Sequence, residues 1–390
     1  LLNTIEKYPK LINAYSNLGF VLHKLNELDE AKIWCERAIS IDLAFADAHS
    51  VLGGVFLRLG NPKEARKSFE RVLALRPADP ASRYNIGLAT LTLGDFAEGW
   101  KGYEARRETK EYAANIPSHP QPYWDGSPLD GKTILLHAEQ GVGDGIQTLR
   151  YVKQVSARGG KVVVEVQPAL APLAATINEV GTVVPRGEPL PPFDVYASLM
   201  SLPYLLGTAL DTIPAEVPYL CVDDASDKID VDHSGKFKVG FVWAGDPTQE
   251  NDCNRSTDVG YFRPLIDVPN TEFFSLQVGG REDDLLATNF AGNVIALGAK
   301  LTDYNVTASA IDQLDLIISV CTSVAHLAGA MGKPVWTLLS FAPDFRWLLE
   351  REDSPWYPTM RLFRQPKHGD WSSVFSVVSK ELRKLVSGAK

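Results

Sequence analysis

Residues 314–336 read LDLIISVCTSVAHLAGAMGKPVW. The first seven are almost wholly apolar, as in a strand buried on both faces of a parallel sheet. Cys321 to Gly332 is rich in small residues and reads as a helix, and PVW opens the next strand. Strand, helix and strand in this order make a βαβ unit. At such a turn the N–H groups of Thr322, Ser323 and Val324 point out of the helix start, where an anion is favoured. His326, about one turn further in, can add a donor. The stretch also allows a thiol reading, with Cys321 activated at the helix start and His326 as its base. A spacing of five residues turns the two side chains more than about 90° apart on an ideal helix. No oxyanion or acyl-binding pattern accompanies them, so the phosphate turn is the stronger reading.

The same alternation extends outward. KTILLHAE (132–139) and KVVVEVQ (161–167) read as strands with helical segments after each. FKVGFVWAG (237–245), EFFSLQVG (272–279), NVIALG (293–298) and PVWTLLS (334–340) follow the same rule. Between the two groups, 187–236 is irregular and Pro-rich, with DDASDKIDVDHSGK as an interdomain segment. The expectation is two α/β domains, at 131–230 and 231–390, with the C-terminal helix a candidate to cross back onto the first.

The first hundred residues follow another rule. Gly19, Gly53 and Gly87 recur every 34 residues, each after an apolar residue. Twelve positions on stand Ala31, Ala65 and Gly99, and four further Cys35, Phe69 and Tyr103. Pro9 and Pro77 share a phase. Small residues let two antiparallel helices approach, large ones fill the next gap, and Pro ends the second helix. The period resembles the tetratricopeptide repeat. It assigns about three repeats to 1–111, and residues 1–10 read as the tail of another, so the chain reads as a fragment of a longer one. Such arrays offer a concave surface to peptides. Residues 112–130, YAANIPSHPQPYWDGSPLD, read as a linker.

Composition excludes several classes. A net charge of −9 argues against nucleic-acid binding, which needs a basic face. No window approaches 18 uninterrupted apolar residues, so no membrane span is expected. The start has no basic region followed by an apolar block, so no signal peptide is expected. Four scattered Cys without CxxC suit neither a disulfide framework nor a zinc site, and a reducing cytoplasm is the default.

In open parallel sheets, ligands bind beyond the carboxyl ends of strands. Four such ends carry unusual residues. In HAEQGVGDGIQTLRY (137–151), Gly141, Gly143 and Gly145 flank Asp144, which reads either as a helix cap or as a general base. The loop VWAGDPTQENDCNRSTD (242–258) holds Arg255, whose planar fork suits phosphate. Gln277 ends a third strand. The fourth is the 321–326 turn.

Together these segments resemble a known family. GDFAEGWKGYEAR (94–106), GVGDGIQTLRYV (141–152), FDVYASLMSLPYLLGT (193–208), IPAEVPYL (213–220), VGFVWAG (239–245), NRS (254–256), TSVAHLAGAMGKPVW (322–336), RWLLEREDSPWYP (346–358) and LFRQPKHGDW (362–371) carry the likeness. They look like bacterial tetratricopeptide-repeat proteins whose C-terminal part is similar to heptosyltransferases of glycosyltransferase family 9 and, more distantly, to O-linked N-acetylglucosamine transferases. The resemblance implies α-helical repeats followed by a GT-B fold of two Rossmann-like domains. It implies a metal-independent, inverting glycosyltransferase with no cofactor, the nucleotide-sugar being a substrate. Asp144 is then the catalytic base. Thr322, Ser323 and His326 meet the donor diphosphate, Asn254, Arg255 and Ser256 form a second donor loop, and Gly143, Trp243 and Gln277 lie at the donor site.

Two departures stand out. Relatives usually carry Asp at the position of Cys321, and Arg is expected near Cys253. Both thiols fall at the predicted donor site, where they replace an ion pair with an apolar or disulfide-competent pair. A disulfide requires Cα atoms within about 7 Å. The leading expectation is sugar transfer to a protein acceptor held by the repeats. The alternative is a catalytically weak or inactive chain serving as a protein-binding scaffold.

Overall fold

Each helical hairpin at the N-terminus is closed by a glycine set against a large residue. The computed structural model describes residues 1–113, 117–223, 228–231 and 235–388. After the short α1 (Leu2–Lys7) come three antiparallel pairs: α2 (Ile12–Lys24) with α3 (Leu28–Ile41), α4 (Ala46–Arg58) with α5 (Pro62–Leu75), and α6 (Pro80–Thr92) with α7 (Phe96–Tyr103). A Cβ on Gly19 would stand 2.5 Å from Cys35 Sγ, and one on Gly53 2.6 Å from Phe69 Cζ. One on Gly87 would strike the Tyr103 backbone. Each glycine thus meets the large residue of its own repeat. Helix starts are specified locally as well. Pro62 and Pro80 stand in first turns, after the caps Asn61 and Asp79, whose side chains accept from Glu64 and Ser82 N–H.

The chain divides into two compact units. The first comprises residues 1–117 with 207–212 and 342–350. Within it, the Phe345 ring lies 5.5 Å edge-on from Trp100 and 5.9 Å from Tyr103.

The second unit holds two parallel sheets. One has the order β3-β2-β1-β4, with β1 at Thr133–His137, β2 at Lys161–Val166, β3 at Val180–Pro185 and β4 at Val195–Ser198. The other has the order β10-β9-β8-β5-β6-β7. Its strands are β5 (Phe237–Val242), β6 (Thr271–Ser275), β7 (Val294–Ala296), β8 (Leu316–Val320), β9 (Val335–Leu339) and β10 (Met360–Arg364). β5 and β8 are adjacent in the middle, and β8 is buried at every residue, as its apolar run requires. Helical repeats followed by two Rossmann-like α/β halves are the expected α plus GT-B arrangement.

The boundaries differ from expectation. β4 lies inside 187–236, which reads as irregular: VYAS is only four residues long and follows two prolines. β10, MRLFR, is an edge strand whose arginines mask its apolar pattern. Residues 114–116 of the expected linker lie outside the described residues. Its later part is no free tether, because Tyr123 bridges Tyr196 beside β4, and Trp124 and Leu129 are buried. In the expected interdomain segment, 224–227 and 232–234 lie outside the described residues. What remains is tied to the helix Tyr304–Asp312 and the residue after it. Asn305, Ser309 and Gln313, spaced by four, accept from the N–H groups of Asp223, Ile229 and Val231. The C-terminal helix, Trp371–Gly388, spends its apolar face on the second sheet. Trp371, Val374, Phe375, Val378 and Leu382 sit in one core cluster with Phe241 and Phe262.

Candidate functional site

The turn after β8 carries the first part of the site. Thr322 caps the helix Ser323–Ala330 in extended conformation, but its side chain bonds no helix N–H. Its hydroxyl instead lies 2.9 Å from Ser319 Oγ. Ser323 Oγ accepts from the Tyr304 hydroxyl at 2.8 Å, and burial pushes that phenol up. The first-turn N–H groups therefore donate no hydrogen bond to the cap side chain, the condition under which a helix start favours an anion.

Arg255 reaches the same turn from the loop after β5. Its Nη1 donates to the Cys321 carbonyl and its Nη2 to the Asp246 carbonyl, each at 3.4 Å. The guanidinium lies where a side chain at Gly245 would stand, so a larger residue there would have to displace it. Nε donates to Asp252 Oδ1 at 3.1 Å, and Ser256 Oγ donates to the same oxygen at 2.8 Å. Ser256 in turn accepts from Gly245 N–H, and Asn254 donates to Asn251. Buried Asp252 is thus the organiser of the loop. Sequence reasoning missed it, although its spacing of three and four from Arg255 and Ser256 was the available signal.

Trp243 and Gln277 act from behind. The Trp243 ring is fully buried, with its indole N–H 3.3 Å from Asp284. Gln277 Oε1 accepts from Trp243 and Ala244 N–H, and Nε2 donates to the Val278 carbonyl. Their side chains are spent on fixing the ends of β5 and β6. What they give the site is the placement of the 244–246 backbone.

The first sheet supplies the other wall. Asp144 Oδ2 accepts from Gly141 N–H at 3.0 Å, closing the start of the helix Val142–Thr148, and the residue is only partly buried. The N-cap is Gly141 rather than Asp144, which stands three residues into the helix and reaches back to accept from the Gly141 N–H. Gly143 packs on the other helix start: a Cβ there would lie 3.2 Å from His326 Cδ2 and 3.4 Å from Ser323 Cα. The structure thus brings together Gly143, Asp144, Arg255, Thr322, Ser323 and His326, residues separated by up to 183 positions in the chain.

His326 is buried, and its Nδ1 lies 2.9 Å from the Tyr357 hydroxyl. Behind Tyr357 sits Arg150, also buried, with its guanidinium 4.5 Å from the ring centroid. Neither residue stands out in the sequence. Arg150 is one of two cations in the helical stretch 142–156, and Tyr357 follows a proline-flanked turn.

Cys253 is exposed and Cys321 is partly buried, and neither is in a disulfide. Among the described residues, no three His, Cys, Asp or Glu side chains gather as a metal would need.

Comparison with known proteins places these features. The tetratricopeptide repeat family matches residues 10–78. Protein FlbA of Caulobacter vibrioides is 28% identical over 323 residues, covering 75% of this chain. The match takes in 53% of FlbA, so the chain spans about half the length of the curated relative it matches. Among solved structures, the ADP-heptose lipopolysaccharide heptosyltransferase II of E. coli is 14% identical with a TM-score of 0.43, over 66% of this chain and 99% of that one. A family 9 glycosyl transferase of Veillonella parvula is 13% identical with a TM-score of 0.45, over 68% and 100%. An O-GlcNAc transferase of Thermobaculum terrenum is 14% identical with a TM-score of 0.32, over 99% and 88%. The chain itself carries helical repeats, matched by that family over residues 10–78, followed by two parallel α/β sheets. Among the described residues, no helix is long and apolar enough to cross a membrane.

Proposed function

We propose that the protein is a metal-independent, inverting glycosyltransferase. It moves a sugar from a nucleotide-sugar to a protein acceptor and works in the cytoplasm. The observation that carries this reading is the meeting of Arg255, the 322–326 helix start and the Gly143–Asp144 turn at the ends of two parallel sheets. A diphosphate leaving group needs charge stabilisation where it departs. Arg255, the first-turn N–H groups, Ser323 and His326 supply it there. Asp144, on the facing wall, takes the proton of the acceptor hydroxyl as that oxygen attacks the anomeric carbon. Attack from the side opposite the diphosphate inverts the centre.

The repeats support a protein acceptor. Their unit holds a groove of about 720 Å³ lined by Leu73, Ile86, Arg83, Lys101 and Glu98 among others. An apolar floor with charges of both signs suits a polypeptide segment.

The scaffold reading draws on one specific observation, the engagement of Asp144 Oδ2 by the Gly141 N–H. Intact-mass measurement of proteins co-expressed with the chain separates the two. A mass increase equal to one sugar residue, lost in Asp144→Asn, supports transfer. No sugar on any partner, with partners still captured by the repeats, supports the scaffold.

A further inference from the structure

Arg150 is a cation enclosed among neutral groups. Its Nε donates to the Gln147 carbonyl at 2.8 Å, and Nη1 to the carbonyls of Trp356 at 2.6 Å and Pro214 at 3.3 Å. Nη2 donates to the Tyr219 hydroxyl at 3.0 Å. The rings of Tyr219, Trp356 and Tyr357 surround the guanidinium at 4.9, 5.3 and 4.5 Å. Among the described residues, no carboxylate is hydrogen-bonded to it. A buried charge held by carbonyls, a hydroxyl and ring faces is expensive to desolvate. Its field falls undiminished on whatever dipoles lie next to it.

The Tyr357 ring, 4.5 Å from the guanidinium, carries a hydroxyl that lies 2.9 Å from His326 Nδ1. We propose that Arg150 and Tyr357 are positioning residues that lock His326 as the tautomer with its proton on Nε2. Arginine can only donate. The Tyr219 proton is committed to the Ile146 carbonyl at 3.0 Å, so the Tyr219 oxygen accepts from Arg150. The guanidinium draws the Tyr357 oxygen towards itself and drives the hydroxyl proton away, towards Nδ1. Burial pushes the Tyr357 phenol well above its ordinary range, so the hydroxyl keeps that proton to give. With Nδ1 accepting, the ring proton stands on Nε2. Cδ2, the carbon next to Nε2, is the ring atom nearest Gly143, beside Ser323 N. That edge therefore lies against the Gly143 turn, and the ring proton is fixed at the nitrogen beside it. Its use on a diphosphate rests on the function proposed above; the tautomer itself does not.

The test is nitrogen NMR of the full chain labelled with ¹⁵N-histidine, with the signal lost in His326→Gln assigning one ring among seven. The expected result is a bare, hydrogen-bonded Nδ1 and a protonated Nε2 in the wild type, turning to a mixture of tautomers in Tyr357→Phe. A protonated Nδ1 in the wild type, or an unchanged tautomer in Tyr357→Phe, overturns the proposal. If Tyr357→Phe does not fold, the wild-type spectrum decides alone. In parallel, UDP and inorganic pyrophosphate are titrated into both proteins. Tyr357→Phe is expected to weaken binding about tenfold, the size of one hydrogen bond to a charged group. If the wild type binds neither probe, the diphosphate site fails, and the spectrum still decides the positioning.

Discussion

The Tyr357 hydroxyl lies 2.9 Å from Nδ1 of His326, across 31 residues of sequence, and joins the turn after Ser354 to the helix that follows β8. Through Arg150 the same contact reaches the first sheet, since Nη1 of that residue bonds the Trp356 carbonyl. The candidate anion site is therefore braced from both sheets of the second unit.

Asp144→Asn is expected to abolish sugar transfer and to leave nucleotide binding within about twofold, because the amide keeps an acceptor for Gly141 N–H but takes no proton. Turnover assays beside calorimetry check this. Full turnover in the variant removes Asp144 from the mechanism.

Asp252→Asn tests the organiser of the donor loop. The buried carboxylate holds Arg255 and Ser256 together, and an amide there leaves the guanidinium without its counter-charge. Stability should fall by about 1–3 kcal/mol, the usual cost of losing a charged partner, with a matching loss of affinity for nucleoside diphosphates. Thermal unfolding and calorimetry read the two effects. An unchanged affinity would mean that Arg255 does not act on the ligand.

The repeats were the most legible part of the sequence, and the reason is physical. A 34-residue period places Gly53 against Phe69 by helix geometry alone. The turn at 321–326 was legible for a similar reason, since an apolar strand running into small residues has few other solutions. Arg150 and Tyr357 were not legible. Their partners are supplied by the fold, up to 206 residues away in the case of Arg150 and the Trp356 carbonyl. The 342–350 segment carries no local sign that Phe345 would pack on Trp100. The polar stripe Asn305, Ser309 and Gln313 was regular enough to find, but only its pairing with 223–231 gives it meaning.

Gly53→Ala should destabilise the chain by about 1–3 kcal/mol through overpacking, although alanine favours the helix by roughly 1 kcal/mol. Phe69→Leu in the same chain should relieve part of that cost. A double-mutant cycle by chemical denaturation measures the coupling. Additive effects would separate the two side chains.

His23 makes the repeats acid-sensitive. Burial first, then the charges of Arg58 and Lys24, hold its imidazole down to about 4. An unfolded chain has the ordinary value of about 6.5. Between these values the unfolded state binds the extra proton, so stability falls as pH drops from 6.5 towards 4. With partial solvent screening the loss should be about 1–2 kcal/mol. His23→Gln should flatten this window in denaturation curves taken at each pH. An identical pH dependence in the variant assigns the effect elsewhere.

The central claim is that Arg255 and the 322–326 helix start form a diphosphate site. Its most direct test is calorimetric titration of UDP, ADP, GDP and CDP into the wild-type chain and into Arg255→Ala. The account predicts that at least one nucleotide binds the wild type and that Arg255→Ala weakens it at least about tenfold, as loss of a charge-assisted donor requires. Binding by none of them, or binding that Arg255→Ala leaves unchanged, would contradict it.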